Sequence, residues 1–175
     1  MPDFFDISYL SKGSSVQRKG YHAIVSSGIL DSLKDFNPVV VGTLPLDLFT
    51  NHSDIDIICT IPDGTVFLDH LSQVLDPISN YFRIDQRNPG GVNSVVGNFD
   101  YGGFKFEIVG QPLDVKQQLA YRHMLVEWSI LAANDKAFRK RILALKNQGV
   151  KTEPAFAQIL GLAGDPFAAL LHYPQ

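Results

Sequence analysis

Apolar residues recur along this chain in two periods, and the switch between them outlines a fold. Residues 3–13 read as a short helical turn closed by Gly13, after which Ser14 or Ser15 can cap a helix. From there to residue 36 the apolar positions fall at helical spacing: Val16, Tyr21, Ile24 and Val25, then Ile29, Leu30, Leu33 and Phe36, with Ser26-Ser27-Gly28 between the two groups. Asn37-Pro38 ends this region and leads into a β-branched run, Val39-Val40-Val41. A turn-rich connection over 43–53 precedes a second strand, about Asp54 to Thr60. Asp63 then caps a helix whose stripe is Val66, Leu68, Leu71, Val74 and Leu75, stopped at Asp76-Pro77. Period-two patterning predicts strands over Tyr81–Gln86, Val92–Phe99 and Phe104–Val109. Residues Arg87 to Gly91 form a loop, and Asp100-Tyr101-Gly102-Gly103 a hairpin turn. Beyond Gly110-Gln111-Pro112 only helical signals remain: Asp114–Ala133, Lys136–Asn147, Pro154–Leu162 and a last turn near Pro166–Leu171. The prediction is an α+β protein with about five strands. Residues 1–112 form a sheet-containing core with N-terminal helices, and 113–175 a helical C-terminal subdomain of one domain spanning 1–175.

Composition narrows the function classes. With 45% hydrophobic residues among 175, the chain can bury a core. A net charge of −3 lacks the basic excess of a general nucleic-acid binder and leaves single-nucleotide binding open. Cys59 is the sole cysteine, which rules out an intrachain disulfide and a Cys-based zinc site, fits a reducing compartment, and reads as buried and inert. The start Met1-Pro2-Asp3-Phe4-Phe5-Asp6 does not read as a signal peptide, and no apolar run has membrane-spanning length. The expectation is a soluble cytoplasmic protein.

The chemistry concentrates in two places. The strand Val39–Val41 stops at Gly42-Thr43, where a glycine admits close backbone approach and a hydroxyl can donate to phosphate oxygens. Ten residues later comes Asp54-Ile55-Asp56-Ile57, whose two carboxylates share one strand face. Such a pair is costly unless a cation sits between them. Glu107 is the one acid within Phe104–Val109. If that strand neighbours the second, Glu107 joins Asp54 and Asp56 as metal ligands and catalytic groups. Three carboxylates suit Mg²⁺ or Mn²⁺, which keep positions open for the phosphates of a nucleoside triphosphate. There is no Gly-Lys-Ser/Thr P-loop and no Gly-x-Gly-x-x-Gly element.

In this order of parts the chain resembles the DNA polymerase-β-like nucleotidyltransferase superfamily, in which an apolar-Gly-Ser or Gly-Gly element precedes Asp-apolar-Asp or Asp-apolar-Glu by nine to thirteen residues. More narrowly it resembles an uncharacterised bacterial branch, on Gly42-Thr43-Leu44-Pro45-Leu46, Ser53-Asp54-Ile55-Asp56-Ile57-Ile58-Cys59, Gly110-Gln111-Pro112, Ala120-Tyr121-Arg122-His123-Met124 and Lys151-Thr152-Glu153-Pro154-Ala155-Phe156. The resemblance implies a mixed sheet flanked by helices, two metals on Asp54, Asp56 and Glu107, and Gly42-Thr43 near the triphosphate. It departs from the pattern in having Thr43 for serine and in lacking an arginine from Leu44 to Phe49. Positive charge would then come from Lys105, Arg83, Arg87 or the C-terminal basic residues. The reading is transfer of a nucleoside monophosphate to a hydroxyl of a small molecule or protein in preference to long nucleic acid.

Plainer readings stand beside these. Asp54/Asp56 alone also describes a solvated strand start, Glu107 a surface residue of a half-exposed hairpin, and Gly42 a tight turn. Arg122 can reach a phosphate or an acceptor, or pair with Glu127, and His123 reads as a packed or capping histidine. The run Lys136, Arg139, Lys140, Arg141 and Lys146 reads as a solvated face, and Thr152 as a helix cap with Pro154 in the first turn. Two rival functions use the same residues: a non-catalytic nucleotide-sensing or protein-binding module, and a metal-dependent phosphohydrolase, which explains Gly42-Thr43 less well.

Overall fold

A computed structural model describes residues 2–88 and 91–174. Its first ordered element is a 3-10 turn, Ile7–Lys12, capped by the Asp6 carboxylate. Helix α1 (Ser15–Ser27) starts at a capping box in which Ser14 and Gln17 satisfy each other's backbone N–H. The apolar stretch after Gly28 divides into a single turn, α2 (Ile29–Ser32), and a 3-10 turn, Lys34–Phe36. Strand β1 (Val39–Val41) and strand β2 (Ile55–Thr60) follow, with Asp54 one residue outside β2. Helix α3 (Gly64–Leu75) is capped by Asp63, which accepts from Thr65 N and Val66 N.

Three antiparallel-linked strands come next: β3 (Phe82–Arg87), β4 (Ser94–Tyr101) and β5 (Phe104–Gln111). The expected loop between β3 and β4 includes Pro89-Gly90, which lies outside the described residues. Strand β4 runs on to Tyr101, so the hairpin turn shortens to Gly102-Gly103. Both have positive φ, at 59° and 81°, as the right-handed strand twist demands of a two-residue turn. The helical region then supplies a 3-10 turn (Val115–Gln117), α4 (Leu119–Ala133), α5 (Lys136–Asn147), α6 (Thr152–Leu160) and α7 (Pro166–Leu171). The first helix expected there is interrupted at Gln118, whose amide donates to the carbonyls of Cys59 and Leu113 rather than continuing a helix upstream.

The five strands form one mixed sheet in the order β1-β2-β5-β4-β3, with β2 and β5 parallel and every other neighbour antiparallel. Two apolar clusters cover it. Ile55, Ile57, Phe106, Ile108 and Phe99 pack against Ile24, Ile29 and Leu33 of the N-terminal helical region and against Phe67, Leu71 and Leu75 of α3. On the opposite face Val39, Val41 and Ile58 pack against Met124, Ile130, Ile142, Phe156 and Leu170 of α4–α7. Val40 belongs to the first cluster while its two neighbours belong to the second. That is why β1 is three β-branched residues in a row: it is buried on both faces. Asp54, Asp56 and Ile58 share the second face. Ile58 lies under the helices, and the two carboxylates lie where that cover ends.

Candidate functional site

The register of β2 against β5 sets the site. Asp56 stands directly beside Glu107 across the parallel pair, and the ladder brings Asn98 of β4 and Arg83 of β3 onto the same row. Together with Asp54, these two acids line a cleft of about 410 Å³ between the sheet and α4–α7. Burial pushes the Asp56 carboxyl up to about 8, with the Glu107 and Asp54 charges adding to the effect and Lys146 opposing it. Glu107 is also raised, first by burial and then by Asp54, against the Arg87 and Lys151 charges.

Gly42 and Thr43 line the same cleft. Gly42 has φ +74°, and a Cβ there would overlap Oδ2 of Asp56, so only glycine lets this turn meet the carboxylate. The Thr43 hydroxyl is buried and has no hydrogen-bond partner among the described residues. Leu44, Leu46 and Leu48 after it are core residues. Their loop is held by the backbone: Gln17 Nε2 donates to Leu44 O (3.0 Å) and Pro45 O (3.2 Å), and Arg139 Nη1 donates to Leu46 O and to Asp47 O. Leu44, Leu46 and Leu48 are turned into the core, so these three positions bring no cation to the cleft.

Positive charge reaches the cleft from the opposite wall. Lys146 of α5 is 7% exposed and lines the cleft, and its Nζ donates to Thr152 Oγ1 at 2.9 Å. Among the described residues no carboxylate stands within ion-pair range of it. Burial lowers the pKa of its ammonium group, while Glu127, Glu153 and Asp56 hold it up. Lys151 lines the cleft as well. The run of residues 136–146 is thus not uniformly a solvated face, because Lys146 shares the buried stripe of Phe138 and Ile142 at four-residue spacing. That spacing is the sequence signal for it. Thr152, expected as the cap of α6, is instead its first residue, and its hydroxyl is taken by Lys146.

Lys105 and Arg122 lie elsewhere. Lys105 is exposed and lines a smaller hollow of about 280 Å³ with Tyr81, Asn98, Asp100 and Asp54. Asp54 belongs to both the cleft and the hollow. Arg122 is exposed on α4 and is not among the residues lining the cleft. His123, one position on, is buried and faces the cleft, with Nε2 3.0 Å from Phe167 O and Nδ1 3.6 Å from Glu153 Oε1.

Among the described residues no three His, Cys, Asp or Glu side chains form a ready metal cage. The donors nevertheless fit a hard dication held through one or two carboxylates and substrate phosphates, which is how Mg²⁺ commonly binds. The oxygens are of the right type, Gly42 leaves Asp56 Oδ2 unobstructed by a side chain, and a dication would offset the burial that holds the Asp56 proton.

A family profile described as a domain of unknown function, DUF4269, matches residues 22–173. The chain belongs to the DUF4269 family. No curated protein matches it in sequence. Its fold is that of the DNA polymerase-β-like nucleotidyltransferases. The Cid1 poly(U) polymerase bound to MgGTP is 14% identical, with TM-score 0.55 over 80% of this chain and 46% of that one. The polymerase core of TRAMP, an RNA surveillance complex, is 14% identical with TM-score 0.55 over 94% of this chain and 50% of that one. The GLD-2/RNP-8 complex is 16% identical with TM-score 0.55 over 87% and 60%. This DUF4269 chain therefore spans about half the length of the first two and somewhat more of the third. Among the described residues no helix is long and apolar enough to cross a membrane.

Proposed function

We propose that this DUF4269 protein is a metal-dependent nucleotidyltransferase that moves a nucleoside monophosphate from a nucleoside triphosphate to an acceptor hydroxyl. The observation carrying this reading is the Asp56–Glu107 register beside Gly42: two acids and a side-chain-free turn meet in one cleft. In this reading Asp54, Asp56 and Glu107 hold Mg²⁺ or Mn²⁺, which when bound neutralises charge developing on the phosphates. Gly42 N–H and the Thr43 hydroxyl donate to the triphosphate, and Lys146 and Lys151 neutralise it from the helical wall. The acceptor lies in the hollow across Asp54, near Lys105 and Asn98, opposite the leaving group as in-line displacement requires. Its oxygen forms a bond to the α-phosphorus, the α–β bridging P–O bond breaks and pyrophosphate leaves. The acceptor proton passes to the Asp54 carboxylate and then to water. The size of the hollow and the acidic balance of the chain favour a small-molecule or protein acceptor over long nucleic acid.

The absence of a ready three-acid cage among the described residues favours a second reading, a nucleotide-sensing or protein-binding module that does no chemistry. Thermal-shift titration separates the two. Stabilisation by triphosphate that requires Mg²⁺ or Mn²⁺ and is lost in Asp56→Asn supports transfer. Stabilisation by nucleotide alone supports sensing.

A further inference from the structure

The sheet face that carries the carboxylates continues past them without helical cover. The second apolar cluster takes in residues of β1 and β2 and Val109 of β5, and among the described residues none of β3 or β4 joins it. On this open stretch β3 presents Arg83, Asp85 and Arg87, alternate residues that share one side of the strand. Both guanidinium groups meet the one Asp85 carboxylate: Arg83 Nε lies 2.8 Å from Oδ2, and Arg87 Nη2 lies 3.3 Å from the same oxygen. Among the described residues neither arginine has a hydrogen-bond partner other than Asp85. A guanidinium has five N–H donors, so most of theirs remain unengaged. Two cations on one anion also leave a net positive charge, on side chains 67% and 50% exposed.

The strand register ties this fork to the site. Arg83 faces Asn98, Asn98 faces Glu107, and Glu107 faces Asp56. Asn98 and Lys105 line the hollow beside Asp54, so Arg83 stands one strand beyond that hollow. With Glu107 set aside as a metal ligand, the open face of β3–β5 carries Arg83, Arg87 and Lys105 against Asp85 and Asp100. Burial raises the Glu107 carboxyl and the Arg87 charge opposes it, so the field of the fork reaches the carboxylate row. Strands β2 and β3 lie three spacings apart in the sheet, roughly 14 Å between backbones. Side chains reaching in from both ends leave a span that one small molecule can bridge. Neither arginine lines the triphosphate cleft.

Resting on the transfer reading of that cleft, we propose that Arg83 and Arg87 form an oxyanion clamp for the acceptor, a small molecule that carries a carboxylate or phosphate at the far end from the hydroxyl attacked. The hydroxyl sits in the hollow at Asp54, and the anionic end lies on the fork. Guanidinium groups bind either oxyanion through paired hydrogen bonds, and Asp85 holds the two of them together on the open face.

The test follows the arginine Nε–Hε signals by NMR, assigned through Arg83→Lys and Arg87→Lys. The cleft is filled with Mg²⁺ and α,β-methylene-ATP, which cannot transfer its nucleoside monophosphate. Glucose 6-phosphate, gluconate and glucose are then titrated at constant ionic strength. At least one of the two anions is expected to move the Arg83 and Arg87 signals saturably, with glucose silent, and the one that does tells phosphate from carboxylate. Its affinity is expected to fall about 10-fold in the Arg83→Gln/Arg87→Gln double variant. The double variant is expected to bind the Mg²⁺-loaded analogue within about 2-fold of the wild-type protein by calorimetry, because the two sites are separate. Silence of both anions, equal shifts with glucose, or an affinity retained in the double variant would leave the fork as a charged guard on an edge strand and overturn the clamp. Failure of the wild-type protein to bind the analogue would overturn the transfer reading, and the clamp's role with it.

Discussion

Gly42 carries no side chain, and Asp56 occupies the space one would need. Gly42→Ala places a Cβ against Oδ2 and forces an L-residue to hold φ +74°, a cost of about 1–2 kcal/mol before any displacement of the carboxylate. The expected outcome is a lowered melting temperature together with loss of Mg²⁺-dependent nucleotide stabilisation, read by differential scanning fluorimetry. Asp56 itself makes a pH prediction for the metal-free protein. The folded state holds its proton up to about pH 8, whereas the unfolded chain releases it near 3.8. Across that window the folded state binds more protons, so stability falls as pH rises from about 4 to about 8. Asp56→Asn is expected to flatten part of that fall in a series of melting temperatures against pH; an unchanged slope would contradict the assignment.

At the scale of elements, the alternation of Phe104–Val109 and the Asp-Ile-Asp-Ile pattern make the carboxylate face legible from sequence, because side chains on a strand have no choice of face. What local pattern does not contain is that β2 skips β3 and β4 to pair in parallel with β5; that pairing is a long-range choice of the whole sheet. The boundaries that moved did so for tertiary reasons. Gln118 turns its amide to the Cys59 carbonyl and interrupts a helix, and Thr152 gives its hydroxyl to Lys146 rather than to a cap. Lys146 was hidden by its basic neighbours, although its spacing from Phe138 and Ile142 places it on the buried stripe. Glu127, Glu153 and Asp56 hold the charge of Lys146 and its Nζ bonds Thr152 Oγ1, so Lys146→Met is expected to lower the melting temperature moderately while weakening MgATP at least about 10-fold by titration calorimetry. A collapse in melting temperature with unchanged affinity would make Lys146 structural. Arg139 couples the same helix to the loop after Thr43, and Arg139→Ala is expected to destabilise the protein by about 1–3 kcal/mol in urea unfolding through the stranded Leu46 and Asp47 carbonyls.

At the scale of the whole molecule, one sheet is the shared wall of two apolar clusters, with β1 and β2 contributing residues to both. Removal of residues 113–175 would bare Val39, Val41, Leu46, Leu48 and Ile58, so that fragment is expected to show molten-globule behaviour with strong dye binding and no cooperative melt. The cleft depends on the same union. Its acids and its Gly42-Thr43 turn come from the sheet-containing core, while Lys146, Lys151 and His123 come from the helical region. In the proposed function these two walls close on a metal-bound nucleoside triphosphate. The decisive measurement is the melting temperature of the wild-type protein and of Asp56→Asn with MgATP, with ATP and EDTA, and with Mg²⁺ alone. The predicted result is a rise in the wild-type protein that needs ATP and Mg²⁺ together and disappears in Asp56→Asn. An equal rise with ATP and EDTA, or a rise that survives Asp56→Asn, would contradict it.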